Sequence, residues 1–415
     1  MDLSLQHDLT WAVFAFTYVG LALGKYPWLP LDRTGIAVVG GVGMLLVGAL
    51  DVHQAAHSID AITMLLLFGL MVFSAQLHEA CFYDAVGEKL THLAKKPKTL
   101  LACLIGVSAL LSAVLANDIV CLAFTPLLCA ALLRGGRDPI PYLLALATGS
   151  NIGSAATLIG NPQNMYIGST SDLLFGAYLI KMILPVLVGL GTCYLIIALV
   201  YRGSLAKKNE SKVVDKPEAC KPDWPVIIKT LVLLAGLITF FLLARGARAS
   251  EHRAVAALVG AGILLFSQRS KAEKLYTLVD YELILLFLGL FLVNGAMNIQ
   301  HLTDQIFAFI QHLHIDLNKP PMLSGVAAVL SNIVSNVPAV LLLSPAIHSK
   351  QSWELLALIS TFAGNLTLVG SIANLIVAEG ARKAGVKISL GTYCLVGVPL
   401  TIVTVTVGTL WVMWA

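Results

Sequence analysis

The stretch from Ser112 to Pro126, SAVLANDIVCLAFTP, is apolar except at its centre, where Asn117 and Asp118 stand side by side. The pattern returns 219 positions later as SNIVSNVPAVLLLSP, which sets Ser112 on Ser331, Asn117 on Asn336, Thr125 on Ser344 and Pro126 on Pro345. A hydrophobic element that breaks in the same place twice implies two related halves. With 58% hydrophobic and 12% charged residues the chain does not fit a soluble domain. Apolar runs near the ~20 residues needed to cross the hydrocarbon recur along it, continuous and not alternating, which gives an all-α polytopic membrane protein and not a barrel. Inside such a run an Asp costs ~2.5–3.5 kcal/mol on insertion scales, and intramembrane acids mark substrate or ion pathways by default. The plainer reading of Asp118 is a structural one, holding the break through backbone N–H groups.

The expected spans of the first half are 8–24, 34–50 and 61–77, a broken segment 99–133, then 141–168 and 181–201. The opening MDLSLQHDLTW lacks a basic n-region and a cleavage site, so 8–24 reads as a span and not a signal peptide. Residues 202–223 are charged and proline-bearing, a solvated linker between an N-terminal repeat, 1–201, and a C-terminal one, 224–415. Spans near 225–244, 254–267 and 281–298, a broken segment 322–347, then 355–378 and 390–414 make up the second half. VVGGVGMLL (38–46) matches ALVGAGILL (257–265), LLLFGLMVF (65–73) matches LLFLGLFLV (285–293), and ATLIGNPQN (156–164) matches LTLVGSIAN (366–374).

If each first broken segment is a re-entrant hairpin, each half has five crossings and the halves insert with opposite topology. Of the 27 Lys and Arg, six (Lys181, Arg245, Arg248, Arg253, Lys319 and Lys350) then fall on one side, Lys229 lies within a span, and the remaining 20 fall on the other. The positive-inside rule makes the richer side cytoplasmic, the linker with it, and both termini external. A bacterial inner membrane is the expected location.

The half-helix after the first break is expected to begin near Ile119, and its partner break lies at Ser335, Asn336, Val337 and Pro338. Proline suits the first turn of a half-helix, where no hydrogen bond is lost. Ser150, Asn151, Thr157, Gly160, Asn161, Gln163 and Asn164 form a second interrupted element, with Asn365, Thr367, Gly370, Ser371 and Asn374 as its counterpart. Such breaks expose carbonyls to cations and half-helix N-termini to anions, and paired breaks point to a transporter's midplane site. Across the four segments the one formal charge is Asp118. A multivalent anion would be easier to hold with Arg or Lys, so a small, weakly charged or neutral substrate, or one accompanied by a cation, is expected. A Na⁺ ion near Asn117, Asp118, Asn151, Asn336 and Asn365, or a proton on Asp118, would couple it. No other metal and no cofactor is implied.

Other features have plain explanations. Gly40, Gly41, Gly43, Gly260 and Gly262 read as packing positions. The seven cysteines show no CxxC pair, which argues against a disulfide frame or zinc site, and Cys121 and Cys129 read as packing beside Asp118. His53, His57, His78, His301, His312 and His314 lie in or beside loops, read as having no helical HxxxH or HExxH partner and as solvated rather than metal-binding, and Glu79 and Glu379 read as span ends facing water.

NDIVCLAFTP, SNVPAVLLLSP, SNIGSAATLIGNPQN and GNLTLVGSIAN together resemble the ArsB, P protein and NhaD branch of the ion transporter superfamily, and GNPQN is similar to the motif of plant silicon efflux transporters and bacterial anion permeases. The resemblance implies two inverted repeats, each of five transmembrane helices with a re-entrant hairpin and a discontinuous helix, in a homodimer moving as an elevator. It also implies that Asn117, Asp118, Asn336 and the broken-helix motifs line the site. The paired Ser-Asn-Thr signature of the dicarboxylate branch reads here Ser150-Asn151-Ile152 and Gly364-Asn365-Leu366. The expected function is secondary active transport of a small inorganic oxyanion or neutral oxyacid, arsenite- or silicate-like, coupled to H⁺ or Na⁺. The alternatives are a Na⁺/H⁺ antiporter using Asp118 and a Na⁺-coupled carboxylate or anion symporter. A channel is disfavoured by two crossed hairpins, an enzyme by the lack of a nucleophile–base pair or phosphate loop, and no nucleic-acid partner is expected.

Overall fold

The computed structural model describes residues 3–415 except 27, 92, 94, 95, 207–219, 247, 267–274 and 276. Most of the expected linker, with Lys95 and the cations of 207–216 and 269–274 counted above, lies outside the described residues. Among the described residues are 20 α-helices, one 3-10 turn and no strand. The first half holds α1 (Leu3–Leu23), α2 (Arg33–Leu46), α3 (Val52–Ser58), α4 (Ala61–Glu79), α5 (Phe82–Thr91), α6 (Pro97–Val114), α7 (Asn117–Arg134), α8 (Ile140–Ser154), α9 (Pro162–Thr170), α10 (Phe175–Val200) and α11 (Arg202–Ala206). The second holds α12 (Trp224–Leu243), α13 (Ala249–Leu265), α14 (Tyr281–Ile299), α15 (Leu302–His312), α16 (Pro320–Val334), α17 (Asn336–Leu343), α18 (Lys350–Ala363), α19 (Ile372–Lys383) and α20 (Leu390–Trp414). Seven of these, α4, α6, α7, α10, α12, α14 and α20, are long and apolar enough to cross a membrane. The chain is a multi-pass membrane protein.

Aspartates start several helices where they leave a loop, because a short carboxylate satisfies N–H groups that have no partner one turn back. Asp60 caps α4 by accepting from Thr63 N–H (3.0 Å), and Asp280 caps α14 by accepting from Leu283 N–H (2.9 Å). The outward faces of α10 and α20 stay apolar and exposed, with Ile180, Leu187, Leu195, Leu395, Ile402 and Leu410 turned to the surface that lipid would cover. Their inner faces pack on each other.

Close helix approach happens where a side chain is missing. Helix α2 lies on α14 at Gly289, where an added Cβ would stand 2.4 Å from the Ala37 backbone. Helix α4 lies on α13 at Gly69, where it would stand 2.9 Å from the Ala257 backbone. Gly40, Gly41, Gly43 and Gly260 likewise face neighbouring side chains, but nothing lies within 4 Å of a Cβ at Gly262, which is not a packing position.

Polar contacts join helix ends at two poles. At one, Asp223 N–H donates to Ala80 O (3.1 Å), Thr34 Oγ1 to Glu282 O (3.3 Å) and Arg137 Nη1 to Leu205 O (3.2 Å). At the other, Arg253 Nη2 donates to Gly168 O (3.1 Å), Gln351 Nε2 to Val412 O (2.9 Å), and Lys181 Nζ lies 2.8 Å from Glu354 Oε2. Helix α6 starts at the first pole, where Tyr142 OH donates to Pro97 O (3.4 Å), and Arg137 just beyond α7 is back there. Helix α16 starts at the second, where Thr409 Oγ1 donates to Ser324 Oγ (2.7 Å).

Two expectations fail here. Cys81 and Cys220 are joined as a disulfide with Cα atoms 5.8 Å apart, because the Asp223–Ala80 contact lays the end of the linker on the α4–α5 turn. His53 and His57 are exposed, but they are a helical pair; a capping box at Asp51 starts α3 and puts them one turn apart, with ring centroids 4.5 Å apart.

Candidate functional site

Four interruptions meet in the middle of the bundle. Helix α6 ends at Val114 and α7 begins at Asn117, two residues earlier than Ile119. Helix α16 stops at Val334, and Ser335 turns the chain with φ +78° and ψ 163° before α17 starts. That conformation is close to glycine-only and costs about 1–3 kcal/mol in a serine. The third and fourth breaks, between α8 and α9 and between α18 and α19, carry Gly160 and Gly370. A Cβ at Gly160 would stand 2.3 Å from Ser154 O and 2.7 Å from Ser112 O, and one at Gly370 would stand 2.6 Å from Asn332 Oδ1. Only glycine lets the broken helices press on the α6–α7 and α16–α17 pairs this closely.

Amides tie the four together. Asn151 Oδ1 accepts from Asn117 Nδ2 (3.2 Å) and Ser371 Oγ (3.1 Å), while its Nδ2 donates to Asn365 Oδ1 (3.0 Å) and Asn374 Oδ1 (2.9 Å). Ser150 bridges Ser112 Oγ (2.7 Å) and Asn117 O (3.3 Å). Oriented so that its nitrogen faces carbonyls, the Asn336 amide donates to Ser360 O (3.0 Å) and Gly370 O (3.1 Å).

The two broken elements repeat their internal bonding. Asn164 Nδ2 donates to Thr157 O (3.2 Å), and Asn374 Nδ2 to Thr367 O (3.1 Å). Thr157 Oγ1 donates to Ala113 O, and Thr367 Oγ1 to Asn332 Oδ1 (3.1 Å), so each fastens its loop to the neighbouring broken pair. Asn161 caps α9 by accepting from Asn164 N–H (2.9 Å).

A cavity of about 20 Å³, room for the centre of one water-sized sphere, lies at the junction. Of the residues singled out in the sequence, Asn117, Asp118, Asn151, Gln163, Ser335, Asn336 and Ser371 line it. Ser154 and Thr361 line it too and were not anticipated. Asn161 Nδ2 reaches both, 3.0 Å to Ser154 Oγ and 3.1 Å to Thr361 Oγ1, and Gln163 Nε2 is 3.3 Å from Thr361 Oγ1. Thr361 lies 210 positions after Asn151, the spacing that relates the two broken motifs, and that was the available signal. Ser150, Thr157, Gly160, Asn161, Asn164, Asn365, Thr367, Gly370 and Asn374 stand outside the cavity lining and hold its walls.

Asp118 is 9% exposed, in the first turn of α7, and its carboxylate makes no hydrogen bond or ion pair to the described residues. Among the described residues no Lys or Arg lines the cavity. The buried Asn117 Oδ1 and Asn365 Nδ2 also lack partners. An unpaired acid this deeply buried, with room for little more than one water beside it, favours a proton or a cation, since desolvating a bare carboxylate costs many kcal/mol. The helix N-terminus at Asp118 favours negative charge there but does not neutralise it. Amide and hydroxyl oxygens around the acid suit a hard monovalent cation, or the hydroxyls of a neutral oxyacid. Cys121 and Cys129 are fully buried among apolar neighbours, as packing residues should be. Glu379 is exposed and pairs with Arg382 at 2.7 Å, whose hydrogen bond holds its pKa below the usual value.

The citrate transporter profile, CitMHS, matches residues 18–363. The chain belongs to the CitMHS family. This makes it a secondary transporter within the ion transporter superfamily, not an enzyme. It is 26% identical to a putative transporter arsB of Dictyostelium discoideum, over 98% of this chain and 92% of that one. It is 28% identical to silicon efflux transporter LSI3 of Oryza sativa subsp. japonica over 92% of each, and 28% identical to a 46 kDa membrane protein of Mycobacterium leprae (strain TN) over 95% of each.

Proposed function

We propose that this CitMHS member moves a small inorganic oxyanion or neutral oxyacid, of the arsenite or silicate kind, in exchange or together with H⁺ or Na⁺ at Asp118. The observation that carries the reading is the cavity where the four breaks meet, which holds one unpaired carboxylate and no cationic side chain. The names of the amoebal and rice relatives point the same way. Asn117, Asn151 and Asn336 complete a Na⁺ site with Asp118 in this reading, Asn365 braces Asn151 from outside the cavity, and Gln163, Ser335 and Ser371 face the substrate.

The halves are read as inverted repeats, 1–201 and 224–415, each a re-entrant hairpin, a discontinuous helix and five crossings. Supporting this, α6–α7 and α16–α17 enter from opposite poles, and the Gly69–Ala257 contact of α4 with α13 has its counterpart in the Gly289–Ala37 contact of α14 with α2. The Lys- and Arg-rich pole is read as cytoplasmic, with the linker on that side and both termini outside. Movement of the α6–α9 and α16–α19 group past the remaining helices, in a homodimer, would carry the site across.

A second reading, Na⁺-coupled symport of a carboxylate, draws support from the family's own description as citrate transporters. Against it stands the lack of any Arg or Lys at the cavity to meet a polyanion. Proteoliposomes with an internal pH dye, given Na⁺ gradients and then arsenite, silicate, phosphate, sulfate and citrate in turn, separate these. Ion flux that requires arsenite or silicate is expected. Flux that requires citrate moves the reading to the carboxylate symporter, and H⁺ flux driven by Na⁺ alone moves it to the antiporter.

A further inference from the structure

Helices α9, α14 and α17, which wall the cavity beside Asp118, wall a second and larger cavity one or two turns farther on. Its volume is about 370 Å³ against about 20 Å³. Gln163 of α9, Val337 of α17 and Leu283 of α14 line the inner cavity, while Tyr166, Leu341 and Phe291, on the same sides of those helices, line the outer one. Helix α14 begins at the first pole, by Glu282, and α9 ends at the second, by Gly168, so the outer cavity lies toward the second pole. Its floor of Phe291, Leu341 and Ser344 is buried, and its mouth of His53, His57 and Asn298 is exposed. Phe287 is wholly buried between Leu283 and Phe291 along α14. The rings of Phe287, Phe291 and Tyr166 follow one another at centroid distances of 5.7 and 5.8 Å, an aromatic barrier between the two cavities.

The outer cavity is polar and uncharged: among the described residues no Asp, Glu, Lys or Arg lines it. Its unused groups are mostly donors. Gln54 Oε1 accepts from Asp51 N–H (2.9 Å) and Asn298 Oδ1 from Thr303 Oγ1 (2.6 Å), which leaves the Nε2 and Nδ2 of these two amides without partners among the described residues. His53 and His57 add one N–H each when neutral. Tyr166 OH is already bonded to Ser344 Oγ (3.0 Å). Free N–H groups with no carboxylate beside them select a ligand rich in acceptor oxygens, and the volume falls in the roughly 300–1,000 Å³ range of small-molecule sites.

We propose that the outer cavity is a second binding site for the transported oxyacid, where Gln54, His53, His57 and Asn298 hold it before it passes the aromatic barrier to the site at Asp118. The class of ligand rests on the function proposed above; the place and the donors do not. The larger volume admits the oxyacid with part of its water shell, whereas the inner cavity has room for one water-sized centre. Water is shed between the two, at Phe287, Phe291 and Tyr166.

The test places single thiols along this route in the full-length protein in detergent: Ile299→Cys at the mouth, Leu341→Cys on the floor and Phe287→Cys behind the barrier. Each is treated with a small charged methanethiosulfonate, with and without silicic acid, and labelling is read site by site from peptide masses. The mouth and floor cysteines should label faster than Phe287→Cys, and silicic acid should slow both while leaving Cys103 unchanged. Asn298→Asp keeps the acceptor for Thr303 and loses the donor, so protection should need about five- to tenfold more silicic acid. An unliganded labelling rate equal to that of the parent reports that this variant is folded. A floor cysteine no more reactive than Phe287→Cys overturns the proposal, as does labelling that silicic acid does not slow, or protection by citrate alone. Asp118→Asn separates the two readings. Protection that vanishes in this variant places the ligand at the inner site and overturns the outer one, whereas protection that persists while ion-driven uphill flux also survives overturns the coupling role of Asp118 and leaves the outer site standing.

Discussion

Replacing Asn151 with Ala removes the one side chain that bonds to both hairpin and broken-helix partners from the two halves. Four hydrogen bonds disappear at once: those from Asn117 Nδ2 (3.2 Å) and Ser371 Oγ (3.1 Å), and those to Asn365 Oδ1 (3.0 Å) and Asn374 Oδ1 (2.9 Å). All five residues are buried, at most 5% exposed. A buried bond is worth about 1 kcal/mol net, so four lost bonds give roughly 4 kcal/mol, and more where a stranded partner costs its full penalty of about 1–3 kcal/mol. Water entering the vacated space beside the cavity can satisfy some of the stranded groups, which brings the expected loss to about 2–4 kcal/mol. For a chain of this size that is a fall in Tm of about 2–5 °C, read by thermal unfolding in detergent with and without substrate. A cycle with Asn365→Ala isolates the direct contact, for which a coupling of about 1 kcal/mol is expected. A Tm within about 1 °C of wild type, with additive single changes and normal transport, would refute the claim that this amide network holds the halves in register.

Ser335→Gly relieves the φ +78° strain at the second hairpin tip and should raise Tm by an amount corresponding to about 1 kcal/mol; a fall would show that the serine hydroxyl outweighs the strain. Gly289→Ala places a Cβ 2.4 Å from the Ala37 backbone and should cost about 1–3 kcal/mol or prevent assembly. Gly262→Ala, with nothing within 4 Å, should be neutral in the same expression and unfolding assays. Breaking the Lys181–Glu354 pair, 2.8 Å apart and half-buried, by Lys181→Met should destabilise by about 1–3 kcal/mol, because an acid is left with little solvent. The loss should disappear in the Glu354→Gln background.

Much of this architecture can be read from the chain because lipid imposes its rules locally. The offset between Asn117 and Asn336 marks the breaks between α6 and α7 and between α16 and α17, and ATLIGNPQN with LTLVGSIAN marks those between α8 and α9 and between α18 and α19, since non-helical backbone at that depth has to be confined to a few glycines and amides. Long-range consequences are less visible. Thr361 is an ordinary residue of an apolar run until α18 carries it to Asn161 and Gln163. Cys81 and Cys220 are 139 residues apart with no spacing signal, and only the docking of Asp223 on Ala80 brings them together. The site residues divide in a way that types alone do not reveal. Gln163 and Ser371 face the cavity while Asn164 and Asn374, equally polar, turn back to brace their own loops.

The most direct test of the central claim measures uphill and exchange transport side by side in proteoliposomes of wild type and Asp118→Asn. If Asp118 carries the coupling ion, the variant retains substrate exchange between equal pools but no longer concentrates or expels substrate on a H⁺ or Na⁺ gradient. Uphill transport that survives the change intact would contradict the account.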